Sequence, residues 1–308
     1  MARAATDPLA PLVELPGVAD AVARARDAVV AVHNHPVNRR GWPATAAEAG
    51  LRAARASAAL DGATLDPSPA DVVTDPVLAG AVRAAEELGR LLGVWRTAPL
   101  QALARLHVVA AADLVPRAPG SPLADPADGA REGRASSAPA SGGRAPAGRA
   151  PAGRAPDGGT PDGPTPVAAP DRAATGAATS ALGRPSGSAE TSARLSLLAD
   201  LVTGGTSVPA PVLVAVVHGE LLALTPFPTA NGVVARAAAR LAAIAAGLDP
   251  KGLAVPEVGH LRRAADYRRA AQGFASGTRE GLTEWLLHCC AQWEAGAREG
   301  ISIAAARG

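Results

Sequence analysis

Apolar positions recur every three to four residues over most of the chain, the spacing of one helix face. Val18, Val22, Ala25, Val29 and Val32 form such a stripe between residues 17 and 34, and Pro36 stops it. Thr45-Ala-Ala-Glu48 has the pattern of a capping box and predicts a helix start. That helix runs through Leu51, Ala54, Ala58 and Leu60, and Gly62 stands where a glycine commonly ends one. Further helices are predicted over 76–93 and 98–113, the latter with Leu100, Leu103, Leu106 and Val109 on one side. Helical spacing resumes near Ala193 with Leu195, Leu198 and Leu201. Pro211–Leu224 is apolar on almost every side, which predicts a central helix. A loop over 225–232 leads to a helix reaching Ala246, with Val234, Ala237, Leu241 and Ile244 as its stripe and Gly247 as its stop. Residues 261–273 and 279–298 complete the set, and Leu282, Trp285, Leu286, Cys289 and Trp293 read as a core stripe.

Residues 116–190 break this pattern. They are Pro, Gly, Ala, Ser, Arg and Asp with almost no large apolar side chain, and Gly-Arg-Ala-Pro repeats at 143, 148 and 153. Such a segment buries too little apolar area to offset the entropy of ordering it, so it is expected to be a disordered insertion. A solvated linker is preferred over an arginine-rich patch for an acidic partner.

Composition sharpens the fold class. Hydrophobic residues make up 48% of the chain but aromatics only 2%, so the core must be built from Leu, Val and Ala. Alanine and leucine favour helix, and an all-α architecture is expected. The net charge of +2 is too balanced to argue for nucleic acid or an anionic membrane, and no membrane and no clear nucleic-acid partner are expected. The longest apolar runs, such as Pro211–Val217, fall far short of the ~20 residues that span a bilayer. The N-terminus lacks the apolar stretch of a signal peptide. Adjacent Cys289 and Cys290 suit neither a disulfide framework nor a zinc site. Reduced, buried thiols and a cytoplasmic location are the expectation.

The candidate chemistry lies in His218-Gly-Glu-Leu-Leu-Ala-Leu-Thr225-Pro226-Phe227-Pro-Thr229-Ala230-Asn231-Gly232-Val233-Val-Ala-Arg236. A central helix ends at a proline-bounded loop, Asn231-Gly232 turns the chain, and a new helix begins. A helix N-terminus offers unpaired amides and the positive end of the macrodipole, and so suits an anion. Arg236 stands near that end, where a cation is disfavoured, and needs a negative partner. Asp61 closes the helix through Leu60, where an acid is disfavoured, and needs a positive one. The two are a candidate pair. Taken singly, Asp61-Gly62 also reads as a plain turn and Arg236 as a solvated surface residue.

The segment resembles the signature of the Fic/Doc (Fido) family, His-Pro-Phe-x-(Asp/Glu)-Gly-Asn-Gly-Arg-x-x-Arg. Pro226, Phe227, Asn231, Gly232 and Arg236 match it in register, and His218 stands where the family often carries a histidine. Ser57-Ala-Ala-Leu-Asp61-Gly62 is similar to the family's inhibitory motif, (Ser/Thr)-x-x-x-Glu-(Gly/Asn), with Asp for Glu. The resemblance implies an all-helical bundle with an N-terminal inhibitory-type helix, related to enzymes that transfer AMP from ATP to a protein hydroxyl. Asn231, Gly232 and Arg236 would then hold phosphate, Pro226 and Phe227 would shape the loop, and the inhibitory motif of Ser57, Asp61 and Gly62 would block it, with Asp61 pairing with Arg236. The implied organisation is an N-terminal helical segment with the inhibitory helix (1–75), the first part of the core (76–115), the insertion (116–190), the core with the motif (191–260) and C-terminal helices (261–308).

The departures are chemical. Thr225 replaces the family's histidine, and a threonine hydroxyl cannot serve as a general base near neutrality. Thr229 replaces the acidic residue that helps hold Mg²⁺, a cation that favours carboxylates. Ala230 replaces the first glycine and Val233 the first arginine. The family's hairpin flap would fall near Gly183–Gly187, which shows no strand pattern. The expectation is a catalytically impaired Fic-like regulator or nucleotide- and protein-binding module. It has no intact catalytic residue and no metal ligands, it retains only weak affinity for ATP with Mg²⁺, and its partners are a protein target or a second copy of the chain. The alternatives are an active nucleotidyl- or phosphate-group transferase using altered chemistry, and a purely structural interaction module. His218 is expected to be a buried, hydrogen-bonded structural histidine. His33 and His35 form a His-x-His without a third ligand, and His107, His260 and His288 show no partner pattern.

Overall fold

In the computed structural model of this protein, residues 7–65, 74–114 and 188–307 are described. Among them every regular element is helical. In chain order these are α1 (Ala10–Val13), α2 (Val18–Asn34), α3 (Trp42–Leu60), α4 (Pro76–Thr97), α5 (Pro99–Ala110), α6 (Ser188–Asp200), α7 (Ala210–Leu224), α8 (Asn231–Ala245), α9 (Pro256–Arg262), α10 (Ala264–Ser276) and α11 (Arg279–Ala305). A 3₁₀ turn (Pro36–Arg39) joins α2 to α3, and a π turn (Leu201–Gly205) follows α6. The all-α class expected from composition is the observed one. The insertion expected over 116–190 lies outside the described residues up to 187, as does the stretch compared with a flap.

Helices α7 and α8 form the centre. Each buries twelve of its fifteen residues, and they pack on each other. Helix α4 crosses α3, α5 and α8, while α11 lies along α2, α9 and α10. Small residues let these helices approach closely. A Cβ on Gly80 of α4 would collide with the Ala110 carbonyl of α5, and one on Gly281 of α11 with the Gly273 carbonyl of α10. Trp285 of α11 is fully buried, and its indole N–H donates to the Ala215 carbonyl at 2.8 Å. The Trp285 and Trp293 stripe is therefore core. No described helix is long and apolar enough to cross a membrane.

Several boundaries differ from the sequence expectation for identifiable reasons. Helix α3 starts at Trp42 with Gly41 as its cap, so Thr45 lies inside the helix and is fully buried. Pro43 explains the earlier start, because a proline in the first turn lacks only an N–H that the helix would leave unpaired anyway. The Thr45–Glu48 capping box does not form. The helix expected over 261–273 is divided by Arg263, which has φ −121° and ψ 41° and separates α9 from α10. Helix α11 runs seven residues beyond its expected end at 298. At the close of α3, Gly62 has φ 89°, and the amides of Gly62 and Ala63 bond back to the Ala59 and Ala58 carbonyls at 3.1 and 3.0 Å. This double closure is a Schellman motif, and it fixes Asp61 at the helix cap.

Candidate functional site

The loop between α7 and α8 is bracketed by strain. Thr225 (φ 40°) and Ala230 (φ 59°) are the non-glycine residues with positive φ among those described, and they stand at its two ends. A β-branched residue in that region is an outlier. The shape is held by Asn231. Its Oδ1 accepts from the Phe227 amide at 2.9 Å, and its Nδ2 donates to the Phe227 carbonyl at 2.6 Å. The Phe227 ring stacks on His107 of α5, with centroids 4.4 Å apart and planes 6° from parallel. Asn231 and Phe227 therefore act on each other. The Thr229 hydroxyl oxygen is buried without a hydrogen-bond partner.

Helix α8 opens directly after this loop. Its first intrahelical bond runs from the Val234 amide to the Ala230 carbonyl at 2.9 Å, which leaves the amides of Asn231, Gly232 and Val233 ahead of it. Over this opening lies a carboxylate from a distant part of the chain. A Cβ on Gly232 would collide with both Asp61 oxygens, so only glycine leaves room for Asp61 there.

One turn further, Arg236 is 3% exposed and almost fully coordinated. Its Nη2 stands 2.8 Å from Asp61 Oδ1, an ion pair whose alignment falls short of a hydrogen bond. Nη2 also donates to the Ser57 carbonyl at 2.9 Å, and Nε donates to Ser57 Oγ at 2.7 Å. Nη1 donates to the Tyr267 hydroxyl at 3.3 Å. Burial opposes the guanidinium charge most strongly of any single influence, but Asp61 and the Tyr267 hydroxyl together outweigh it and raise the Arg236 pKa. The structure thus joins the two charges that sit at the wrong ends of their helices. Arg240, on the same face of α8, pairs with Glu257 at 3.0 Å and donates to the Ala254 carbonyl at 3.1 Å, which ties the 247–255 loop to the core.

Behind Arg236 lies a buried cluster that sequence spacing does not announce. Tyr267 of α10 bonds to His218 Nε2 of α7 at 2.8 Å. His260 Nδ1 of α9 lies 3.1 Å from His288 Nε2 of α11. The His218 and His260 rings meet edge to face at 5.3 Å. Burial first, then the nearby Arg236 and His288 charges, pushes the His218 pKa well below the ordinary histidine value. Burial does the same for His260, reinforced by its histidine neighbours and Arg236. The half-buried His288 is lowered to about 4, again chiefly by burial. His218 is therefore the hydrogen-bonded core residue expected, but His260 and His288 are not isolated. They are 28 residues apart on separate helices, and only the crossing of α9 with α11 brings them together.

Two cavities of about 20 Å³ flank Arg236, each with room for about one water. One touches His218, Glu257 and His260, and the other touches Ser57 and Ala81. A larger hollow of about 310 Å³ lies between α3 and α4 against Ala46, Gly50, Leu51 and Val82, apart from the loop. Elsewhere, His33 Nε2 meets Asp249 at 2.8 Å, and Asp249 accepts from the Leu253 and Ala254 amides at 2.9 Å, so that histidine braces a turn. Cys289 and Cys290 are free and buried. Burial pushes the Cys290 thiol up to about 12 and Cys289 well above its ordinary value, so neither is poised as a nucleophile. No family model matches this sequence, and no curated protein matches it.

Proposed function

We propose that the protein is a Fic-like, catalytically impaired binding module, in which the N-terminus of α8 and Arg236 receive a nucleotide phosphate and Asp61 occupies that place until it is displaced. The observation that carries this reading is the Asp61 carboxylate, which sits over Gly232 at the α8 opening and pairs with buried Arg236. A helix N-terminus together with a buried arginine attracts an oxyanion. Here a carboxylate from α3 takes that role within the chain. The small cavities beside Arg236 fit a closed state in which the ligand's place is filled from within.

Thr225 sets the limit on chemistry. Without a positioned base, a hydroxyl substrate keeps its proton, and the loss of such a base typically costs ~10²–10⁴ in rate. Thr229 offers a hydroxyl where Mg²⁺ would favour a carboxylate, so affinity for ATP·Mg²⁺ should rest on Arg236 and the helix terminus. The reading is thus a nucleotide-responsive regulator of a protein partner, with binding separated from transfer.

Calorimetric titration of ATP·Mg²⁺ into the wild type and Asp61→Ala tests it. Removing one partner of a buried pair leaves the other charge uncompensated, a penalty of ~3–5 kcal/mol when burial is complete. Asp61 is 13% exposed, so a smaller share is expected. A ligand anion recovers part of that share as affinity. Binding at least ten-fold tighter in Asp61→Ala, abolished by adding Arg236→Ala, is the expected result. Equal or absent binding in the wild type and Asp61→Ala would overturn the reading and favour a helical scaffold kept for its shape.

A further inference from the structure

Arg236 draws its partners from two places. Ser57 Oγ, the Ser57 carbonyl and Asp61 all belong to the end of α3, whereas Tyr267 comes from α10. Any movement of the α3 end that withdraws Asp61 also strains the Ser57 bonds. Among the hydrogen bonds of Arg236, the one to Tyr267 alone does not depend on α3.

The direction of that bond follows from proton count. A guanidinium has five N–H donors and no acceptor, so the Tyr267 oxygen must accept from Nη1. A hydroxyl has one proton to give, and His218 Nε2 lies 2.8 Å away. Pointing that proton at His218 satisfies a buried donor, which assigns His218 a bare Nε2 and a neutral ring with its proton on Nδ1. Both requirements fit the surroundings. Burial lowers the His218 pKa, with the Arg236 and His288 charges adding to it, and burial raises the Tyr267 hydroxyl to about 12. The polarity is thus fixed along three residues on three helices, from His218 of α7 through Tyr267 of α10 to Arg236 of α8.

We propose that Tyr267 and His218 are positioning residues for Arg236. They hold the guanidinium so that Nη2 keeps facing the opening of α8 when Asp61 leaves, ready for a phosphate oxyanion. The proposal rests on the reading of Arg236 as an oxyanion receptor. A positively charged or proton-donating group in place of His218 would reverse the relay and compete with Arg236 for the Tyr267 oxygen.

The test uses the full chain. Nitrogen-15 NMR of labelled histidine should show His218 as the neutral Nδ1–H tautomer with Nε2 hydrogen-bonded. Tyr267→Phe keeps the ring and removes only the hydroxyl. It should shift the His218 Nε2 signal and speed proton exchange at the Arg236 guanidinium about ten-fold. In the Asp61→Ala background, Tyr267→Phe should weaken inorganic pyrophosphate binding about ten-fold, the order expected for one charge-assisted hydrogen bond. His218→Gln, which offers an amide oxygen to the same hydroxyl, should bind within about three-fold of its Asp61→Ala parent, and His218→Leu should not. An Nε2–H tautomer, or Arg236 exchange unchanged in Tyr267→Phe, would overturn the proposal. Normal tautomer and exchange results with no pyrophosphate binding in Asp61→Ala would support the relay and overturn the receptor reading beneath it.

Discussion

The loop ends show how one residue type records a lost freedom. Ala230 holds φ 59° where the resembled signature has glycine. A left-handed conformation costs a residue with a Cβ ~1–2 kcal/mol, while glycine in the same place adds ~0.4–1 kcal/mol of unfolded-chain entropy. Ala230→Gly is therefore expected to stabilise the fold by about 0.5–1 kcal/mol, read as a higher urea midpoint with an unchanged slope. A lower midpoint would mean that the Ala230 side chain packs more firmly than its strained backbone costs. At this scale part of the site is legible in the sequence. Asp61 and Arg236 can be singled out because each charge opposes the dipole of its own helix, and they prove to be 2.8 Å apart. The Tyr267 link is not legible, because nothing in the spacing of residues 218, 236 and 267 says that α7, α8 and α10 present them to one interior point. Asn231 has a second use that spacing does not show, because its side-chain amide closes the loop onto Phe227.

At the scale of elements, helix positions follow from the apolar stripes, and their ends depend on residues with more than one use. Gly62 and Gly247 stop their helices as expected, with φ of 89° and 74°. Thr45 fails as a cap because Pro43 opens the helix earlier, and the break at Arg263 carries no glycine or proline to announce it. Glycines also set how closely helices cross, which local sequence does not reveal. Gly281 and Gly93 are both helical, but a Cβ on Gly281 would strike the Gly273 carbonyl, whereas one on Gly93 meets nothing within 4 Å. Gly281→Ala must separate α10 from α11 and is expected to cost about 1–3 kcal/mol. Gly93→Ala should gain ~0.5–1 kcal/mol from helix propensity alone. Chemical denaturation of the two variants checks the pair, and equal effects would contradict the close crossing.

At the scale of the whole molecule, buried histidines among the described residues set a pH response. His218, His260 and His288 are held neutral by burial and lie between α7, α9 and α11. In the unfolded chain they take up protons near pH 6.5, whereas in the fold they resist, His288 down to about 4. The unfolded state therefore binds more protons across that window. Stability should be full above pH 6.5 and fall as the pH drops from there toward 4, by ~1.4 kcal/mol per pH unit for each histidine involved. Thermal unfolding followed from pH 8 to 4 checks this, and the histidine-to-glutamine change at 288 should flatten the curve. A melting temperature unchanged across the window would mean that the cluster is hydrated and already titrates freely.

Trp285 lies against this cluster, edge-on to His218 at 5.1 Å and nearly parallel to His288 at 6.2 Å. A protonated imidazole quenches indole emission by accepting an electron from the excited ring, and a neutral one does so far less. Trp285, one of four tryptophans, is thus an unlabelled fluorophore whose share of the emission should dim once acid charges the chamber behind Arg236.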